Sequence, residues 1–187
     1  MFDDRELVSR TLRGDRKAFE MIVLRHQQPL FNYLGRLVGE RETALDFTQE
    51  VFLRAFASLS SFRPEYKFTT WLYRIASNFV IDHWRKKKVP CLSLDRPAKP
   101  GQEEICLQAA DPGPSAAAGL EKAELRDRVE RGLERLPPDL RELFVLRHVS
   151  EFSYDEIAEI KNQPVGTVKS RVFQAKETLR RLMEDMP

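Results

Sequence analysis

Thirty-odd residues in the middle of the chain, "VPCLSLDRPAKPGQEEICLQAADPGPSAAAG" from Val89 to about Gly119, carry Pro90, Pro97, Pro100, Pro112 and Pro114 and no sustained apolar period. Proline lacks an amide donor and biases the residue before it away from the helical region, so no long helix or central strand crosses this stretch. On either side apolar residues recur at three- and four-residue steps, the pattern of helices with one buried stripe. The 187 residues suffice for two small bodies that each bury a core. The expected fold is therefore all-α: a helical domain over 1–88, a linker over 89–119 and a second helical domain over 120–187.

In the first segment Phe19, Ile22 and Val23 are followed by Leu30, Tyr33, Leu34 and Leu37, with Asp15 placed to cap a helix and Pro29 expected to kink or break it. After a turn at "VGERET" a second helix is predicted from about Thr43 to Leu59. A third starts near Thr69 or Thr70 and enters the basic run Arg85 to Lys88. The later segment resumes its period at Leu120, Leu125, Val129 and Leu133 and stops at "LPPD". Ser153 and Glu156 in "SYDE" have capping-box spacing and open a short helix, Tyr154 to Ile160. In "KNQP", Asn162 tolerates a left-handed turn and Pro164 suits the first turn of the next helix. Two short helices joined by a tight turn, the second basic on its outer side, make a helix-turn-helix.

Three helix faces carry chemistry. At 100° per residue, Val168, Val172, Ala175, Leu179 and Leu182 form one stripe, and Phe173 points away from it among Lys169, Ser170, Arg180 and Gln174. The second helix of such a motif enters the major groove amino end first, where a ring packs on a thymine methyl or a sugar edge. Lys169, Ser170 and Gln174 suit base edges or phosphates, and Arg171, nearer the stripe, suits a phosphate or a neighbouring acid. The alternative is an amphipathic surface helix with Phe173 packed on another part of the domain. On the third helix Trp71, Arg74, Asn78, Asp82 and Arg85 fall within an arc of about 80°, opposite Leu72, Ala76, Phe79 and Val80. A ring, two guanidiniums and an amide together suit single-stranded nucleic acid, and the alternative is a solvated face with a half-buried Trp71. On the second helix Asp46, Gln49 and Glu50 rim an exposed Leu53, a surface for a basic protein partner or an ordinary solvated face.

Composition narrows the function class. The net charge of +2 hides segregation: basic residues gather at 85–88 and 169–181, acidic ones in "ERETALDFTQE" and around Glu151 to Glu159. No apolar run approaches the ~20 residues of a membrane span, and "MFDDRELVSR" has no secretory character, so a cytoplasmic protein without membrane insertion is expected. Cys91 and Cys106 have no CxxC and no histidine at ligand spacing, so incidental thiols are expected and no metal or cofactor. No Gly-rich phosphate loop, GxSxG or HExxH is present, and Asp82 and His83 lie on different faces of one helix, so no enzyme activity is expected.

Taken in order, "DFTQEVFLRAF", "FTTWLYRIASNFVIDHWRKKK" and "LPPDLRELFVLRHVSEFSYDEIAEIKNQPVGTVKSRVFQAKETL" resemble regions 2.2, 2.3 to 2.4 and 4 of the bacterial extracytoplasmic-function sigma factors. The resemblance covers nearly all of the chain outside the linker. It implies that Asp46, Gln49, Glu50 and Leu53 dock on the clamp helices of core RNA polymerase, with the beta and beta-prime subunits as partners. It implies that Trp71, Arg74, Asn78, Asp82, Arg85 and Lys86 open the minus-10 promoter element, with a base flipped beside the third helix. Thr167, Lys169, Ser170, Arg171, Phe173, Gln174 and Lys176 would read the minus-35 element. The linker would run toward the RNA exit path, and an anti-sigma factor is implied as a further partner. Where many relatives carry arginine this chain has Lys169 and Gln174, so the preferred promoter sequence is left open, as are the inducing signal and the regulon. A helix-turn-helix regulator that works without polymerase, or a nucleic-acid-modifying enzyme, are the alternatives; the first would leave the Asp46 rim and the Trp71 face without work.

Overall fold

A computed structural model of the chain describes residues 2–88 and 116–185, with residues 87, 88 and 116–124 described for their backbone alone. Residues 89–115, with Cys91 and Cys106, lie outside the described residues.

The first half is built from four helices. Asp3 starts α1 (Asp4–Leu12) by accepting the Glu6 amide at 2.8 Å, and Asp15 starts α2 (Arg16–Val38) by accepting the Ala18 amide at 3.3 Å. Of the kink or break expected at Pro29, the break does not occur: α2 runs through it. Pro29 lies on the exposed side of the helix, where a carbonyl that loses its amide partner costs less than it would inside an apolar core. Gly39, with φ 77°, ends α2 in the left-handed conformation that glycine takes without strain. Helix α3 (Arg41–Ala57), a single 3-10 turn at Leu59–Ser61 and α4 (Phe68–Lys88) complete the half. Ile22, Leu30, Leu34, Val51, Leu72, Ala76 and Val80 are fully buried between these helices, and each larger aliphatic side chain contributes about 1.5–3 kcal/mol to the core.

In the second half α5 (Ala116–Arg135) begins ahead of Leu120, where the apolar period resumes. Pro138 opens α6 (Pro138–His148) at the position where a missing amide is harmless. The capping box of α7 (Tyr154–Lys161) is formed: the Glu156 amide donates to Ser153 Oγ at 3.2 Å and the Ser153 amide to Glu156 Oε2 at 2.8 Å. Asn162, at φ 49° and ψ 51°, makes the left-handed turn into α8 (Val165–Glu184), and Pro164 stands just before that helix as its cap. A Cβ on Gly132 would lie 2.6 Å from Leu179 Cδ1, so glycine lets α5 and α8 approach closely.

The two halves pack on each other around one continuous apolar cluster that runs from Leu7 to Leu179. Helix α7 lies along α4 and α6 along α2, with the Tyr73 and Phe152 rings edge to face at 4.7 Å. Polar groups join them as well. Tyr33 Oη donates to Glu142 Oε1 at 2.9 Å, and Lys161 Nζ donates to Glu142 Oε2 and, at 3.1 Å, to Ser77 Oγ. Tyr33 and Glu142 are both fully buried. Burial first, and then the Glu142 carboxylate, push the Tyr33 hydroxyl well above the ordinary phenol range, which keeps it a donor. Around the edge, Arg36 pairs with Glu130 at 2.9 Å, Lys67 with Glu156 at 2.8 Å, and Arg141 Nη1 donates to the Leu37 carbonyl at 3.2 Å. The last contact supplies a cation to the carbonyl end of α2.

Candidate functional site

Helix α8 divides as its period predicts. Val168, Val172, Ala175 and Leu179 are buried and Leu182 half-buried, while Phe173 stands 66% exposed. Thr167, Lys169, Ser170, Gln174 and Lys176 are exposed on the same outer surface. Lys169 Nζ hovers 5.8 Å above the Tyr154 ring of α7, and Ser170 Oγ donates to the Thr167 carbonyl at 3.0 Å. Arg171 turns toward an acid, Asp139, at 3.6 Å, and toward Gln163 Oε1 at 3.3 Å. The motif thus presents one apolar ring in a field of donors and two lysines, a surface that fits a DNA groove.

On α4 the expected polar face divides. Arg74, Asn78, Asp82, Arg85 and Lys86 are exposed. Trp71 is not: it is only 6% exposed, with its ring centroid 5.6 Å from Phe62 and 5.5 Å from Phe68. The α3–α4 connection folds Phe62 back over the start of α4, a tertiary contact absent from any helical wheel, and Trp71 becomes part of the first half's core.

That connection also builds a cleft the sequence reading did not find. About 470 Å³ in volume, it lies between Ser61, Arg63, Tyr66, Thr70 and Arg74 on one side and Glu159 and Asn162 of the second half on the other. Two guanidiniums, a half-exposed tyrosine and two hydroxyls converge there. The segment "SSFRPEYKF" reads as a mere connection because it has no period, although its density of aromatic and basic residues was the available sign.

The acidic rim of α3 is present. Asp46 and Gln49 are exposed, Leu53 is 66% exposed, and Glu50 is paired with Arg54 at 2.7 Å. Exposed Leu45 and Phe56 on α3, and Met21 and Leu24 on α2, add apolar surface to the first half. Among the described residues no helix is long and apolar enough to cross a membrane.

Comparison with known proteins identifies the family. Residues 22–89 match the family description sigma-70 region 2, and residues 126–179 match sigma-70, region 4. The chain is 34% identical to the RNA polymerase sigma-H factor of Pseudomonas aeruginosa, over 98% of this chain and 95% of that protein. It is 36% identical to the ECF RNA polymerase sigma factor SigW of Bacillus subtilis, over 96% of each, and 37% identical to the ECF RNA polymerase sigma-E factor of Escherichia coli, over 94% and 92%. Among solved structures, CnrH in complex with the cytosolic domain of CnrY is similar at a TM-score of 0.67 and 27% identity, over 98% of this chain and 99% of that one. The sigma factor RpoE of Bartonella quintana, solved with the anti-sigma factor NepR, shares the fold at a TM-score of 0.65 and 24% identity, over 91% and 99%. With both sigma regions in order and relatives matched along nearly their whole length, the chain belongs to the extracytoplasmic-function sigma factors, the proteins that direct RNA polymerase to promoters for transcription initiation.

Proposed function

We propose that the three faces divide the work of initiation as follows. Asp46, Gln49, Glu50 and Leu53 on α3 dock on core RNA polymerase, at its beta and beta-prime subunits. Arg74, Asn78, Asp82, Arg85 and Lys86, with the cleft above Trp71, receive the opened minus-10 strand, and Trp71 supports that cleft from beneath. The outer surface of α8 reads the minus-35 element, with Thr167, Lys169, Ser170, Phe173, Gln174 and Lys176 facing the groove and Arg171 held at its edge. The first described half serves core and minus-10, the second serves minus-35, and the segment between them is the linker. The protein acts by binding, without catalysis of its own, in the cytoplasm where its polymerase works. An anti-sigma factor is the expected third partner, in keeping with the complex of RpoE with the anti-sigma factor NepR.

The observation that carries this reading is the exposed Phe173 opposite a fully buried stripe on the second helix of the motif. Run-off transcription with purified core enzyme tests it. Promoter-dependent RNA that requires this chain is the expected result. Duplex binding without any RNA would favour a regulator that works apart from polymerase.

A further inference from the structure

We propose that His26, held by Asp4, is a positioning residue for strand opening: through Phe68 it fixes the aromatic floor of the cleft, Phe62 and Trp71, on which an unstacked base of the minus-10 strand comes to rest. The use of that floor rests on the assignment of the cleft to the strand given above. The clamp itself rests on geometry alone.

The clamp is built from the amino-terminal helix. His26 lies on α2 with only 8% of its surface exposed, and its Nε2 stands 2.9 Å from Asp4 Oδ2 on α1. A carboxylate only accepts, so Nε2 carries the proton and donates. Burial holds the ring below its ordinary value of 6.5 against the opposing pull of Asp4, which keeps it neutral at neutral pH. Asp4 is fixed in turn: Arg25 Nη1 pairs with its Oδ1, and Arg25 Nη2 donates to the Phe2 carbonyl at 2.8 Å. Such a pair adds little net stability over apolar side chains of the same shape, but it holds one orientation. The His26 ring therefore cannot turn without breaking its bond to a carboxylate that α1 and Arg25 keep in place.

What the ring touches is the floor. Its centroid lies 5.4 Å from that of Phe68, the first residue of α4. Phe68 lies 5.6 Å from Phe62 and 5.5 Å from Trp71, and those two rings lie 5.6 Å from each other. Three rings in mutual contact tilt together, and among the described residues His26 is the one further ring packed on Phe68. Phe62 and Trp71 line the cleft with Arg63, Tyr66 and Arg74. Helix α1 reaches the same cleft a second way, because it packs on the 3-10 turn Leu59–Ser61, whose last residue, Ser61, is part of the wall. A base resting on an aromatic plane is held only as firmly as the plane, and a working site fixes its groups to within about 10–20°. Neither Asp4 nor His26 lines the cleft, so both act through the floor.

The test uses the full chain reconstituted with core RNA polymerase on a promoter that the parent opens, with 2-aminopurine in the non-template minus-10 strand to report unstacking. The dependence of its rate on holoenzyme concentration separates the constant for initial binding from that for opening. His26→Phe keeps a ring on Phe68 and removes the donor. It is expected to slow opening about tenfold, the weight of one hydrogen bond to a charged group, with initial binding unchanged. Asp4→Ala should do the same, and the two together no more than either alone, since the contact they lose is the same one. His26→Gln keeps a donor, removes the ring, and should also open slowly. Loss of folded protein lowers the amplitude and leaves both constants, so a merely structural role does not give this split. A parent-like opening constant in His26→Phe or His26→Gln, effects that multiply in the double variant, or an equal fall in initial binding would each overturn the role. A second measurement contains neither polymerase nor DNA. With Trp84→Phe, Trp71 is the sole tryptophan. His26→Phe and Asp4→Ala should both raise its quenching by acrylamide at a temperature where circular dichroism shows every variant folded. Unchanged quenching would overturn the clamp whatever the promoter assay returns. A parent chain that opens no promoter would overturn the strand assignment, and with it the role in opening, while the quenching result would still decide the clamp.

Discussion

Replacing Phe173 by alanine separates reading a groove from being a surface. A phenylalanine offers about 150–250 Å² of area, and with 66% exposure on α8 roughly 100–150 Å² is free to meet a partner. If a groove wall covers about half of that, the apolar contact amounts to about 60 Å², or ~1.5 kcal/mol at about 25 cal/mol per Å². Binding to a minus-35 duplex selected from a randomised library should weaken about tenfold. Stability should not fall, since alanine is the better helix former at an exposed position. The salt dependence of binding should also hold, because no charge is removed, whereas Lys176→Ala should lower the slope by about one counterion. Fluorescence anisotropy across a salt series and a thermal melt of each variant measure all three quantities. Unchanged affinity, or a melting point several degrees lower, would mean that the ring has another partner.

Further outcomes follow from the other faces. Asp46→Lys with Glu50→Lys should abolish co-purification with core polymerase while lowering stability by less than about 1 kcal/mol, since the reversal trades the exposed Glu50–Arg54 pair for like charges; retention of core by the folded variant would remove the α3 assignment. Trp71→Ala should destabilise the first half by about 3–5 kcal/mol because it empties a packed site, and a melting point equal to the parent's would contradict the burial of that ring. Asn78→Ala should leave stability intact and impair strand opening more than duplex binding. Permanganate footprinting reports the difference, and failure of a pre-melted bubble to rescue the variant would assign Asn78 another role. Burial pulls the Glu156 carboxyl upward, but the Lys67 ammonium and the Ser153 groups outweigh it and hold it below the usual carboxylate value of 4.5. Its contribution to stability is therefore complete above that pH and is lost as pH falls through the lower folded value. Lys67→Met should flatten this acid limb, and superimposable acid unfolding curves for the two proteins would refute the pairing.

The α8 face was legible from the sequence because a helix of strict period, packed on one side only, leaves no choice about what lies opposite the stripe. The same holds for the Ser153–Glu156 cap and the left-handed Asn162, which are settled within four residues of chain. At Pro29 the sequence left a kink and a break both open, because the cost depends on which side of the helix meets water, and local sequence does not say. Trp71 misled for a related reason: its angle on α4 is that of an exposed residue, and only the return of Phe62 over the helix buries it. The Tyr33–Glu142–Lys161–Ser77 cluster had no sequence sign at all. Its members lie on α2, α6, α7 and α4, and a glutamate within an apolar run such as "RELFVL" reads as a surface break until the other half of the chain is laid against it.

The order of those four residues along the chain has a consequence for synthesis. Tyr33 and Ser77 leave the ribosome well before Glu142 and Lys161 are made, an interval on the order of ten seconds at about 5–20 residues per second. During that time the first half's residues exist without α6 and α7, so nothing can yet close over α4. Every new molecule therefore spends that interval with α2 and α4 lacking the partners that α6 and α7 later supply. Slowing translation between codons 90 and 160 would lengthen that interval without altering a single residue of the finished protein.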